Sequence, residues 1–161
     1  MVVADVQSSG EVVSEQMRFL NVVCFALVAS VGAYSVVAWF LSGDSSALAA
    51  PDLPSALAWV GAAVAIALLV AAPIARRKML EKGALGGHSH ERQATALEGY
   101  RLATLLSFIL REGAAIIGLM LTLLTGDPIW CYALGALTIV AMFTAWPRRE
   151  ELEAALAGRP A

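Results

Sequence analysis

The chain has 161 residues, of which 59% are hydrophobic and 15% are charged, and its formal net charge is −2. Ordinary soluble domains carry about 25% charged residues, so this composition excludes a typical water-soluble globule and favours an integral membrane protein. The net charge is small and no basic cluster is interleaved with aromatic residues, so we expect no nucleic-acid partner.

Four apolar runs follow one another along the chain, each of a length that suits a membrane-spanning helix. We expect an all-α integral membrane protein with four transmembrane helices, at about residues 19–42, 54–75, 101–125 and 129–146. Short turns after the first and third spans predict two helical hairpins or a compact four-helix bundle. Together the spans form a transmembrane domain over 17–147. The segment 1–16 is expected to be a loose tail or a short surface helix, and the tail 148–161 to begin a short interfacial helix.

The distribution of basic residues predicts how the chain is oriented. The connections 43–53 and 126–128 contain no Lys or Arg, whereas the connection 76–92 contains five and the tail 148–161 contains three. The positive-inside rule then places both termini and the 76–92 connection in the cytoplasm. We therefore expect a multi-pass protein of the cell membrane, with the lipid bilayer as its first partner and the bacterial inner membrane as the favoured location.

The third span is RLATLLSFILREGAAIIGLMLTLLT over residues 101–125, and after Arg101 at its start its only charges are the adjacent Arg111 and Glu112. Ten residues of the run precede this pair and thirteen follow it, which places the pair near mid-membrane. Because a charge at that depth costs several kcal/mol, an ionisable residue there is a candidate functional site. No other predicted span contains Asp, Glu, Lys or Arg. The strongest polar partners elsewhere are Asn21, Tyr34, Thr138 and Thr144.

Adjacent residues on a helix point about 100° apart, so Arg111 and Glu112 face different sides. Arg111 shares its face with a supporting polar stripe, which we expect to contact other helices and which consists of Thr104, Ser107, Gly118 and Thr122. Glu112 lies on an otherwise hydrophobic face, toward the edge of the side that contacts the other helices. The two charges could pair within one chain, between neighbouring copies or with another membrane subunit. Their divergence favours pairing between copies and predicts a homo-oligomer.

The segment EGAAIIGLMLTLL (112–124) resembles the carboxylate helix of rotary ATPase c subunits, the proteolipids. The resemblance extends thinly over 57–125, because the second span is rich in Ala and Gly like the other helix of that family. It implies a membrane ring in which Glu112 carries a proton or Na⁺. Arg111 departs from the family pattern and would hold a paired Glu112 in its ionised form.

The alternative function is a structural or assembly subunit of a membrane complex, in which Arg111–Glu112 pairing sets the helix contacts. No phosphate-binding loop, nucleophile elbow or zinc-protease helix is present, so we do not expect an enzyme. His88 and His90 are too few for a closed metal site, and we predict no metal and no cofactor.

Overall fold

The computed structural model describes residues 2–42, 55–83 and 89–156, and within them the side chains of 13–41, 56–81 and 97–152. This part of the chain forms helices and contains no strand. The helices are α1 Val2–Ser42, α2 Ser55–Gly83, α3 Ser89–Thr125, α4 Ile129–Thr144 and α5 Arg149–Leu156. The predicted all-α fold is confirmed.

Three of these helices contain segments that are long and apolar enough to cross a membrane, namely Val13–Leu41, Ala56–Glu81 and Leu97–Thr125. Helix α4 is also apolar but has only 16 residues, about 24 Å of rise against a hydrocarbon core of roughly 30 Å. Phe25, Phe40 and Trp59 are each about two-thirds exposed on the outside of the helices. Such a surface suits lipid, and three to four helices of this chain could span a membrane.

Three helices continue well past the predicted spans into polar sequence. Helix α1 begins at Val2, α2 continues to Gly83 and α3 begins at Ser89. Hydropathy marks only the part of a helix that lipid surrounds, whereas Glu, Gln, Arg and Lys are good helix formers in water. Residues 2–16 are consequently the beginning of one long helix rather than a separate tail.

Helix α3 is the centre of the fold, because each of the other helices packs against it. Its most extensive contact is with α2, followed by those with α4 and α1. Helix α1 packs in addition against α4, but among the described residues α1 and α2 share no extensive contact. The first of the two predicted hairpins is therefore not a closely packed pair, and the two-hairpin arrangement stays a prediction.

A tight turn brings α4 back against α3. Gly126 has a φ of 72°, a left-handed conformation that glycine adopts without steric cost, and its N–H donates to the Thr122 carbonyl at 2.8 Å. Asp127 Oδ1 accepts the N–H of Ile129 at 3.0 Å, at the start of α4. The Thr122 hydroxyl accepts the N–H of Cys131 at 3.0 Å, so the side chain of one helix caps the next.

Two apolar clusters hold the membrane part of the bundle together. Small residues dominate the first, where α2 approaches α3 closely; its buried members are Ala58, Ala62, Ala65, Ala114, Leu121 and Leu134. The second joins α1, α3 and α4 and is built from Cys24, Val31, Phe108, Ala115, Met142 and Ala145. Dispersion contacts between closely packed helices supply the attraction here, because lipid is as apolar as the side chains themselves.

A third apolar cluster lies at the end of the bundle where α5 folds back, and its buried members are Val13, Leu20, Tyr100 and Leu152. Leu80 of α2 packs against it, so four helices meet there. Arg76 Nη2 lies 2.6 Å from Glu151 Oε2 and joins α2 to α5. The Tyr100 hydroxyl donates to the Arg148 carbonyl at 3.4 Å. The short helix expected in the tail is therefore present and packed against the bundle.

Gly118 offers a direct test of how closely α3 and α4 approach. A Cβ added there would lie 3.0 Å from both Leu134 Cβ and the Trp130 carbonyl oxygen, and neither atom is the end of a flexible side chain. We expect Gly118→Ala to lower the free energy of unfolding by about 1–3 kcal/mol, measured by SDS titration of the purified protein in detergent. Gly32→Ala is the matched control, because a Cβ at Gly32 meets nothing within 4 Å. Equal stabilities of the two variants would contradict this packing.

Candidate site at mid-membrane

The polar stripe of α3 lies inside the bundle, as expected. All of its members are buried: Thr104, Ser107, Arg111, Gly118 and Thr122. Their spacing of three, four and seven residues returns to one helix face, which the neighbouring helices cover. The stripe therefore supplies polar groups to the interior of the protein.

Arg111 is almost completely enclosed by its own chain, with 4% of its surface exposed. Its Nη1 donates to both the carbonyl and the hydroxyl oxygen of Ser107, one turn earlier on α3. The guanidinium carbon lies 6.0 Å from the centre of the Phe108 ring. From α4, the Thr138 hydroxyl donates to the Arg111 carbonyl at 3.4 Å. The Nε of Arg111 is buried and has no hydrogen-bond partner within the described residues.

Glu112 is directed away from Arg111 and toward α1. Its Oε1 accepts a hydrogen bond from the Ser30 hydroxyl at 2.6 Å and another from the Tyr34 hydroxyl at 2.9 Å. Ser30 and Tyr34 are four residues apart on α1, so both hydroxyls lie on one face of that helix. Glu112 is partly exposed. The site therefore consists of a carboxylate and two hydroxyls at the contact between α1 and α3, open on one side to the surroundings of the bundle.

The two adjacent charges do not form an ion pair with each other in this chain. Within the described residues the ion pairs are Arg76–Glu151 and Arg77–Glu81. The cause is the 100° step between neighbouring helix positions, which directs each charge into a different helix contact. Pairing between copies stays a prediction, and the burial of Arg111 weighs against it, because a neighbouring carboxylate would have to open the bundle to reach the guanidinium.

The other polar residues of the predicted spans have distinct partners. Tyr34 and Thr138 do contact the charged pair, as described above. Asn21 instead accepts the indole N–H of Trp146 at 3.1 Å, and Thr144 donates to a carbonyl of its own helix. Ser30 was missed, because its sequence context suggests only a small packing residue. Its i, i+4 spacing from Tyr34 is the signal that could have identified it.

No cluster of three His, Cys, Asp or Glu side chains that could hold a metal ion occurs in the part of the chain that the structure describes. His88 and His90, the sequence candidates for a metal contact, have side chains outside that part. The expectation of no metal at this position stays a prediction.

Comparison of the chain with protein-family models, with curated proteins and with solved structures finds no match. The resemblance to rotary ATPase c subunits therefore depends on the residues around Glu112 alone. The chemistry of this protein has to be argued from its own geometry.

The hydroxyls of Ser30 and Tyr34 are expected to hold α1 against α3. Ser30→Ala and Tyr34→Phe should each lower the free energy of unfolding by about 1–3 kcal/mol, because each removes a hydrogen bond to a carboxyl group in a medium of low dielectric. Ser35→Ala is the matched control on the same helix, since the Ser35 hydroxyl donates only within α1, to Val31 at 3.4 Å. Unfolding in SDS followed by circular dichroism measures the effect. Indistinguishable midpoints for the three variants would contradict the assignment.

Proposed function

We propose that the protein is a membrane homo-oligomer in which Glu112 binds and releases a cation, either a proton or Na⁺. The observation that carries this proposal is the contact of Glu112 Oε1 with the Ser30 and Tyr34 hydroxyls, in place of a contact with Arg111. A carboxylate neutralised by a guanidinium would stay ionised, whereas one held by hydroxyls can exist with or without a proton. This geometry supports a carboxyl group at this position that gains and loses a proton.

A count of hydroxyl protons supports two states of the site. Ser30 has one hydroxyl proton but two acceptors, Glu112 Oε1 at 2.6 Å and the Leu27 carbonyl at 2.7 Å. With Glu112 ionised, Ser30 donates to the carboxylate. With Glu112 protonated, its carboxyl group donates to the Ser30 oxygen, and the Ser30 proton turns to Leu27. One hydroxyl rotation therefore accommodates loading and release of a proton without moving a helix.

The depth and exposure of Glu112 support an oligomer. Glu112 lies eleven residues after Arg101 and thirteen before Thr125, roughly 16 Å and 20 Å along the helix. A partly exposed ionised carboxylate at that depth would face hydrocarbon, at a cost of several kcal/mol. A second copy that covers this side of the α1–α3 contact would avoid that cost while leaving a route for the cation. In a copy whose Glu112 faces lipid, protonation of the carboxylate would likewise avoid that cost.

The charges at the helix ends support the proposed orientation. Basic residues gather at one end of the bundle, close to the end of each predicted span: Arg18, Arg76, Arg77, Lys78, Arg101 and Arg148. The opposite end has no Lys or Arg in either connection. By the positive-inside rule the basic end, with both termini and α5, faces the cytoplasm. A bacterial inner membrane fits this arrangement.

A structural subunit is the second candidate, and the same two hydrogen bonds favour it. They join α1 to α3, so a permanently ionised Glu112 would hold α1 in register without ever exchanging a cation. This version differs from the original structural prediction, because the anchor is Glu112 with Ser30 and Tyr34 instead of an Arg111–Glu112 pair.

Labelling with a hydrophobic carbodiimide distinguishes the two functions, because the reagent modifies protonated carboxyl groups in lipid. We expect Glu112 to be labelled in proteoliposomes, more strongly as the pH falls, with the modified peptide identified by mass spectrometry. Protection by Na⁺ at constant ionic strength would identify Na⁺ as the cation. Glu112→Gln should abolish the label, whereas Glu81→Gln, at an exposed carboxylate paired with Arg77, should leave it unchanged. A Glu112 that stays unlabelled down to mildly acidic pH would exclude cation exchange and leave the structural role.

The proposed oligomer predicts a mass that is a multiple of the chain mass of 16.9 kDa. Native mass spectrometry from lipid nanodiscs measures it directly. Detection of the single chain alone, across several lipid compositions, would contradict an oligomer in which a neighbour covers Glu112.

A further inference from the structure

Three buried polar side-chain atoms have no hydrogen-bond partner in the described part of the chain, and they are Arg76 Nε, Thr104 Oγ1 and Arg111 Nε. Buried polar groups in native proteins are normally hydrogen-bonded to protein or to a bound species. A single unpartnered atom would need only a local explanation. Three of them on two facing helices call for a common one.

Thr104 and Arg111 lie in one column of residues on the inner face of α3, and Arg76 approaches the same face from α2. Arg76 of α2 lies over the ring of Tyr100, with its guanidinium carbon 5.8 Å from the ring centre. Tyr100, Thr104, Ser107 and Arg111 follow at steps of four, three and four residues, so they share one helix face. The Arg111 side chain reaches back along α3 to Ser107, toward Thr104. The column therefore runs from the basic end of the bundle to mid-membrane.

The chemistry of this column is that of hydrogen-bond donors and positive charge. A guanidinium group can only donate, and a threonine hydroxyl is free to do so. Two carboxylates on the helices around the column bond to other groups: Glu151 pairs with Nη2 of Arg76, and Glu112 accepts hydrogen bonds from α1. Among the residues whose side chains the structure describes, no carboxylate forms an ion pair with the buried Arg111, and a bare buried charge is costly.

We infer that the column binds a small inorganic monovalent anion between the Thr104 hydroxyl and Arg111 Nε, with chloride as the representative species. One helical turn separates the levels of Thr104 and Ser107, about 5 Å of rise, which suits a monatomic ion better than a polyatomic one. Arg76 Nε is a further unpartnered donor at the basic end of the column. The site is independent of cation exchange at Glu112, which faces a different helix contact.

Ligand-dependent stability of the full-length protein in detergent tests this site. We expect the unfolding temperature to rise and saturate as sodium gluconate is replaced by sodium chloride at constant ionic strength, because the anion binds only the folded state. Line broadening of the chloride NMR signal, reversed by excess bromide, measures the same binding directly.

Two variants and one control locate the bound anion. Thr104→Val keeps the side-chain shape and removes one donor, so the chloride concentration at half-saturation should rise about tenfold. Arg111→Gln should lose the response to chloride altogether. Arg77→Gln is the control, since Arg77 is exposed and paired with Glu81, and its response should match the original protein.

Equal unfolding temperatures in chloride and gluconate, with no line broadening, would overturn the inference and leave water as the only partner of these donors. A Thr104→Val response identical to that of the original protein would also overturn it, because the anion would then bind elsewhere. If Arg111→Gln fails to fold, the Thr104→Val comparison decides the matter by itself.

Discussion

A charged or hydrogen-bonding group inside a lipid bilayer has no water to bond with, and this constraint governs the middle of the protein. Arg111 and Glu112 are neighbours in sequence, yet each bonds to a different set of groups. Arg111 bonds back to its own helix at Ser107, while Glu112 accepts two hydroxyls from α1. The separation follows from helix geometry and leaves the carboxylate without the guanidinium as its partner.

The central position of α3 follows from the same constraint. A helix with two charges on different faces needs protein on both faces, and no helix at the edge of a bundle would have that. Helix α1 covers Glu112, while α4 contacts the backbone at Arg111 through Thr138. The Ala-rich face of α2 packs along α3 over most of its membrane-spanning length. Small residues are needed there because a bulky side chain would hold α2 away and admit lipid to the polar stripe.

The two proposed sites differ in how they open. The carboxyl site at the α1–α3 contact is partly exposed at the side of the bundle, where another copy or lipid would lie. The column on the inner face of α3 leads instead to the basic end of the bundle, where Arg76 is paired with Glu151 of α5. Helix α5 and the apolar cluster around Leu152 pack at that end of the bundle. A cation and an anion would therefore reach mid-membrane by separate routes within one small protein.

Much of this architecture can be predicted from the sequence, because lipid imposes simple rules on composition. Apolar runs mark the spanning helices, and small residues at three- and four-residue spacing mark the buried face of α3. The lengths of α1, α2 and α3 were underestimated, because hydropathy does not indicate how far a helix continues beyond the membrane into water. What only the tertiary structure decided is which helix faces each charge. Pairwise packing of helices depends on the shapes of whole surfaces, so the contact of Ser30 with Glu112, 82 positions apart in the chain, has no local signature. The same holds for the three unpartnered donors, because a missing partner becomes evident only once every neighbouring helix is in place.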